Sequence, residues 1–200
     1  KAGVETIACD LLDRGSVAKL PRLENVVYMA GKKFGTAGQE PFTWAMNAVV
    51  PTYIGEFLWQ TRFVAFSTLC VYPFSPVEGA GATPEETAPT PLGEYANSCV
   101  ARERVFQYFS QLTGSPGRLA RLLHGVVSAR PINIGAPQPA KVREVAERFG
   151  EIFGKNPVFL HSEEGTAWHN DNSEVQDLFG DPVVDLETMI RWNADWLTRG

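Results

Sequence analysis

The sequence predicts an α/β fold, a parallel sheet flanked by helices. Two short runs, residues 25–30 (Asn-Val-Val-Tyr-Met-Ala) and 63–66 (Phe-Val-Ala-Phe), are largely apolar and end in Gly31 and in Ser67-Thr68, the pattern of strands covered on both faces. Between them, residues 43–60 place Trp44, Ala48, Ile54, Phe57 and Leu58 at helical spacing. Strand, crossover helix and strand in that order make a right-handed βαβ unit. Strands continue to alternate with helices further on, which defines the α/β class.

The remaining elements follow from local pattern. Residues 4–9 (Val-Glu-Thr-Ile-Ala-Cys) alternate loosely and stop at Asp10, predicting a short strand. Pro51 falls inside the 43–60 segment and predicts a kink or a late helix start, because proline lacks an N–H and crowds the preceding turn. Residues 77–92 are rich in proline and predict a long loop, of the kind that in a compact domain is usually functional or mobile. A helix over 95–113 is stopped by Gly114, Pro116 and Gly117, and residues 131–134 predict another short strand. Residues 140–153 form a strongly amphipathic helix, with Val142, Val145, Ala146, Phe149 and Phe153 on one face and Gly154 as its C-terminal stop. The last helix covers 185–197, with Leu186, Met189, Ile190, Trp192 and Trp196 as packing residues; Trp44 and Trp192 are expected in the core.

Composition narrows the classes of function. Eighteen basic against 23 acidic residues leave a net charge of −5, so nothing draws the chain to phosphate backbones or anionic lipid, and neither nucleic acid nor membrane is expected as a partner. The most apolar stretch, 57–74, is broken by Gln60, Arg62, Ser67 and Thr68 and does not make a membrane span. No signal peptide is recognisable at Lys1. Three scattered cysteines, Cys9, Cys70 and Cys99, make neither a disulfide framework nor a zinc cluster, which fits reduced thiols in the cytoplasm. His161, Glu163, Glu164, His169 and Asp171 match no metal spacing and read as a solvated loop; no metal is expected.

Chemistry is expected where strands end. In an open parallel sheet, ligands bind at the carboxyl ends of the strands, here Asp10-Leu11, Ala30-Gly31 and Ser67-Thr68. Tyr95 opens the next long helix, Cys99 lies one turn on and Arg102 almost one turn further along the same face. Asp10 has a second reading, as the cap of a helix at Leu11-Leu12.

In order along the chain, Cys9-Asp10-Leu11, Val26-Val27-Tyr28-Met29-Ala30-Gly31, Asn47, Phe66-Ser67-Thr68-Leu69-Cys70-Val71-Tyr72, Tyr95-x-x-Ser98-Cys99-x-x-x-Glu103, Ile132-Asn133-Ile134-Gly135 and Leu178-Phe179-Gly180-Asp181-Pro182 with Trp192 resemble motifs of the extended short-chain dehydrogenase/reductase family, the NAD-dependent epimerases and dehydratases. The resemblance implies a Rossmann-like dinucleotide-binding part over residues 1–117 and a smaller C-terminal α/β substrate part over 118–200. It implies NAD or NADP as cofactor, bound by Asp10, Leu11, Met29, Ala30, Gly31, Lys33 and Asn47. It implies catalysis by Thr68 and Tyr95 on a small-molecule substrate, sugar-nucleotide-like or another hydroxyl or carbonyl compound. Relatives of this kind are often homodimers through the Tyr helix and its neighbour.

Three departures qualify the resemblance. The matched motifs begin after the family's Gly-x-x-Gly-x-x-Gly turn, which would cradle the pyrophosphate, and after the residue that selects NAD or NADP. The stretch from Gly117 to Pro131 is shorter than the family's strand and cofactor-side loop. The third departure touches mechanism: Cys99 occupies the position of the family's lysine. That lysine lowers the tyrosine pKa, and moving a phenol from ~10 to ~7 takes about 4 kcal/mol, which a neutral thiol does not supply. Arg102 is the substitute cation to consider. It lies about 10 Å along the axis from Tyr95 at 1.5 Å per residue, and helical side chains lean back toward the N-terminus; Lys32 and Lys33 are further candidates. Against this stands Arg102 as a solvated or salt-bridged surface residue, and Cys99 as a buried, inert thiol rather than a nucleophile. Three functions therefore stay open: an NAD(P)-dependent epimerase, dehydratase or oxidoreductase, a catalytically impaired NAD(P)-binding sensor or scaffold, and an unrelated α/β binding module.

Overall fold

The computed structural model describes residues 3–35, 37–58, 60–78, 81–113, 118–119, 131–135 and 139–199. The chain divides into two compact units, Lys1–Pro73 with Glu85–Ile132, and Phe74–Pro84 with Asn133–Gly200.

In the first unit, Asp13 caps the short helix α1 (Arg14–Val17) by accepting from the Gly15 and Ser16 amides. Strand β1 (Asn25–Tyr28) pairs in parallel with β2 (Arg62–Ala65), Val26 opposite Phe63 and Tyr28 opposite Ala65. A two-residue strand, β4 (Arg118–Leu119), adds in parallel to the other side of β2, giving the order β1-β2-β4. The stretch from Gly117 to Pro131, expected to be too short for the family's strand, carries this one. Two other expectations fail. Residues 4–9 and 131–134 are not strands. A strand is defined by the partner it bonds to, and alternating side chains do not supply one.

The crossover between β1 and β2 runs without a break from Glu40 to Phe57. It comprises α2 (Glu40–Trp44), a π-helical segment (Ala45–Val49) and α3 (Val50–Phe57). Pro51 therefore neither stops the helix nor delays it. The Val50 N–H bonds back to the Ala45 carbonyl, five residues away. This widened turn lies directly before the proline, whose ring would crowd the preceding carbonyls in a regular α-helix. The core gathers on this helix and the sheet: Val17, Tyr28, Val50, Ile54, Leu58, Phe63, Ala65 and Phe106 form one buried cluster. Phe106 belongs to α4 (Gly93–Thr113) and packs edge-on against Tyr28 at 5.1 Å between centroids. At Gly55 an added Cβ would run into the ring of Phe109, so the glycine sets how closely α3 and α4 approach.

In the second unit, β3 (Ser75–Pro76) pairs antiparallel with β5 (Thr166–Ala167), and Phe74 stacks on Trp168 at 4.4 Å. Helix α5 (Val142–Phe153) ends as expected at Gly154, in the left-handed region at φ 63°. Helix α6 (Ser173–Phe179) precedes α7 (Leu186–Arg199). Arg148 of α5 donates to both carboxylate oxygens of Glu187 on α7, its Nε at 2.7 Å, and Arg191 reaches the same carboxylate at 2.7 Å. Trp44 and Trp192, expected in the core, are 37% and 60% exposed. Trp44 keeps its polar end in use by donating Nε1–H to Glu94. No helix among the described residues is long and apolar enough to cross a membrane.

Candidate active site at the ends of two parallel strands

The chain leaving β1 at Tyr28 and the chain leaving β2 at Ala65 emerge at the same edge, since the strands are parallel and in register there. Helix α4 runs beside them. Between these elements lies a cavity of about 150 Å³ lined by Met29, Gly31, Lys32, Lys33, Phe66, Ser67, Tyr95 and Arg102. Of the residues singled out in the sequence, the fold thus brings Met29, Gly31, Lys33, Tyr95 and Arg102 to one wall. Ala30 contributes the carbonyl behind it.

Asn47 fixes the β1 side of this wall. It is fully buried in the π-helical segment. Its Oδ1 accepts from the Lys32 amide at 2.8 Å, and its Nδ2 donates to the Lys32 carbonyl at 3.0 Å and to Ser98 Oγ at 2.9 Å. Ser98 Oγ in turn donates to the Tyr95 carbonyl at 2.8 Å. One amide therefore ties the Gly31-Lys32 loop to the first turns of α4. Asp10 makes a local contact, accepting from the Leu12 amide at 3.0 Å, and Leu11 packs against the core.

Four polar side chains gather at the Tyr95 end of the cavity, those of Tyr95, Thr68, Cys99 and Arg102. The Tyr95 hydroxyl lies near enough to the Thr68 side chain and the Cys99 thiol for both to act on its pKa. Thr68 also accepts from the Cys70 amide at 3.3 Å, capping the short 3₁₀ turn Leu69–Val71. Cys99 is fully buried beside Val71 and Tyr72, and Arg102 Nη2 donates to its Sγ at 3.4 Å. Arg102 is not a solvated surface residue. It is 5% exposed, with Nη1 3.5 Å from the Ala30 carbonyl. Its charge type misled the sequence reading; the room that Gly31 leaves explains the burial, for a Cβ there would lie 2.8 Å from Arg102 Nη1 and 2.9 Å from Asn47 Oδ1.

The electrostatics run against easy deprotonation. Burial pushes the Tyr95 phenol above its ordinary value, and the neighbouring Cys99 adds to the rise; the Thr68 hydrogen bond and the Arg102 charge only moderate it. Burial likewise raises the Cys99 thiol, with Arg102 opposing. This suits an inert thiol rather than a nucleophile. Lys33 Nζ stands 5.8 Å from the Tyr95 ring centroid, and Lys32 Nζ 5.1 Å from that of Phe42. A pairing that residue spacing did not announce is Ser67 with Glu103: the serine hydroxyl donates to the buried carboxyl, whose pKa burial raises. No group of metal-binding side chains occurs among the described residues.

No sequence-family model and no curated protein matches the chain. Solved structures do. RMD from Pseudomonas aeruginosa, solved with NADPH, superposes with a TM-score of 0.82 at 18% identity, over 97% of this chain and 89% of that one. A UDP-galactose 4-epimerase gives 0.76 at 17%, over 96% and 82%. The UDP-glucuronic acid 4-epimerase of Bacillus cereus, in complex with NAD, gives 0.74 at 16%, over 95% and 79%. The chain has the α/β fold of these proteins. It shares their architecture at a sequence distance that carries the fold and leaves the chemistry to the site.

Proposed function

We propose that the chain is a member of the extended short-chain dehydrogenase/reductase family that binds NAD or NADP and acts as an epimerase, dehydratase or oxidoreductase on a hydroxyl or carbonyl carbon of a sugar-nucleotide-like small molecule. The observation that carries this reading is the meeting of the Tyr95 phenol with Thr68 beside a cavity at the carboxyl ends of β1 and β2, where α/β sheets of this class bind ligands. A volume of about 150 Å³ is below the ~300 Å³ of a pocket for a drug-sized ligand. It suits one end of such a ligand, the rest lying outside. The bound cofactor supplies a hydride donor or acceptor. Thr68 orients the substrate oxygen, and Tyr95 gives that oxygen a proton or takes one from it. Arg102 stands in for the family's lysine as the fixed charge near the phenol. A cytoplasmic homodimer fits the free cysteines and the exposed Tyr108 and Leu112 on α4.

A second reading, an impaired NAD(P)-binding sensor or scaffold, is favoured by one observation: the phenol is held above its ordinary pKa, with a thiol at the lysine position. An oxidoreductase should change NADH absorbance with a sugar-nucleotide or aldehyde substrate. An epimerase or dehydratase, which returns the cofactor to its starting state, should convert a sugar nucleotide to a product separable by chromatography. In either case Tyr95→Phe should cut the rate by ~10²–10⁴ while NADH still binds. Carbonyl reduction should be nearly flat from pH 7 to 9, because the phenol stays protonated. Alcohol oxidation should climb about tenfold per pH unit toward a value above ~10. Turnover unaffected by Tyr95→Phe removes Tyr95 from the mechanism; NADH binding without turnover leaves the sensor; no NADH binding removes both.

A further inference from the structure

We infer that the cavity recognises an oxyanion, a phosphate or carboxylate group of its ligand, with Arg102 as the principal cation and Lys32 and Lys33 beside it. This deepens the reading above by assigning the charge of what reaches Tyr95, and it rests on that reading only for the identity of the rest of the ligand.

The argument starts from an imbalance. Guanidinium carries five N–H donors and no acceptor. Arg102 uses two of them, one on the Cys99 sulfur at 3.4 Å, a weak acceptor, and one on the Ala30 carbonyl at 3.5 Å, long for a charged donor. Its buried Nε has no partner among the described residues. No carboxylate forms an ion pair with it there, although a buried charge without a counter-charge is strongly destabilising. Glu103, the next residue along α4, spends its carboxyl on the Ser67 hydroxyl and forms no ion pair with Arg102 among the described residues. The other buried groups that sense Arg102, Tyr28, Tyr95 and Cys99, are all raised by burial and so stay neutral at physiological pH. The cavity wall therefore holds three cationic side chains and no carboxylate, in a chain whose net charge is −5. Gly31 keeps the wall open at the guanidinium. An oxyanion is the group that such a wall best matches, and arginine pairs with carboxylate and phosphate through the same planar fork.

The test uses the full chain, labelled with ¹⁵N and titrated at low ionic strength with inorganic phosphate and, separately, with acetate. The amide signals of Gly31, Ser67 and Tyr95 should move saturably with at least one of them. The shift should weaken as sodium chloride is raised, and Arg102→Met should weaken binding at least about tenfold, the loss expected for a charge-assisted hydrogen bond. Arg102→Lys should recover part of it. Preference for phosphate or for acetate tells which oxyanion the site is built for. Absence of saturable shifts with both anions overturns the proposal, as does an Arg102→Met affinity within twofold of the unsubstituted chain. The salt dependence needs no variant and so decides the matter even where Arg102→Met does not fold. NADH fluorescence in parallel separates the two readings. Binding of NADH with no Arg102-dependent anion binding sinks only the oxyanion assignment. Arg102-dependent anion binding with neither NADH binding nor competition sinks only the nicotinamide reading.

Discussion

Asn47→Ala strips the cavity wall of its anchor. The substitution leaves the Lys32 N–H and C=O without their partners and removes the donor to Ser98 Oγ. A polar group left unsatisfied costs about 1–3 kcal/mol. Lys32 is half-exposed, so water recovers part of its share, and Ser98 retains its bond to the Tyr95 carbonyl. Adding the small void at a fully buried side chain, the sum is about 3–4 kcal/mol, a large part of the 5–15 kcal/mol that holds a domain together. Urea unfolding followed by circular dichroism should show the midpoint of the first unit falling by about 1–2 M, with a slope near 2 kcal/mol per M. Hydrogen exchange at the Lys32 amide gives the local readout and should quicken markedly. Ser98→Ala, which removes one of the three bonds, should cost about 1 kcal/mol, and the double variant less than the sum because the two residues share a bond. A loss below about 1 kcal/mol for Asn47→Ala, with Lys32 protection unchanged, would show that the amide does not hold this loop.

Two further perturbations test packing and charge. Gly55→Ala drives a methyl group into the Phe109 ring and should destabilise the first unit by about 1–3 kcal/mol, read as a lowered thermal midpoint; an unchanged midpoint would mean that α3 and α4 separate freely. In the second unit, hydrogen bonds from Arg148 and Arg191 hold the Glu187 carboxyl down to about 2, from an ordinary 4.5. Because its folded value is depressed, its contribution is complete above the unfolded pKa and is lost as pH falls from about 4.5 toward about 2. Glu187→Gln should therefore remove part of the acid sensitivity of α5 and α7, seen in Trp192 fluorescence between pH 5 and 2, and equal acid profiles would discount the pair.

The elements that local pattern dictates were legible. The expected runs 25–30 and 63–66 carry the parallel strands Asn25–Tyr28 and Arg62–Ala65 joined by a helix, and the amphipathic run ending at Gly154 is a helix with the expected left-handed stop. Residues 4–9 and 131–134 looked like strands because alternation is local while pairing is not. Trp44 and Trp192 were expected inside because they are large and apolar, yet apolar size alone does not secure a buried position. At the site, the convergence of Gly31, Tyr95 and Arg102 followed from strand ends and helical spacing. The burial of Arg102 did not, because it depends on Gly31, 71 positions away. Nor did the Ser67–Glu103 and Asn47–Ser98 bonds, each a meeting of distant segments.

The wide turn at Ala45–Val49 has a geometric corollary. One residue in a regular helix subtends about 100° of azimuth, so a segment bonded five residues back rather than four offsets everything ahead of it by roughly that angle. Had the same residues run as a regular α-helix, Glu40 and Trp44 would point about a quarter-circle away around the axis, while Ile54 kept its bearing toward the sheet. The crossover thus behaves as a shaft with a keyed joint, whose setting decides which side chains its leading end turns toward α4.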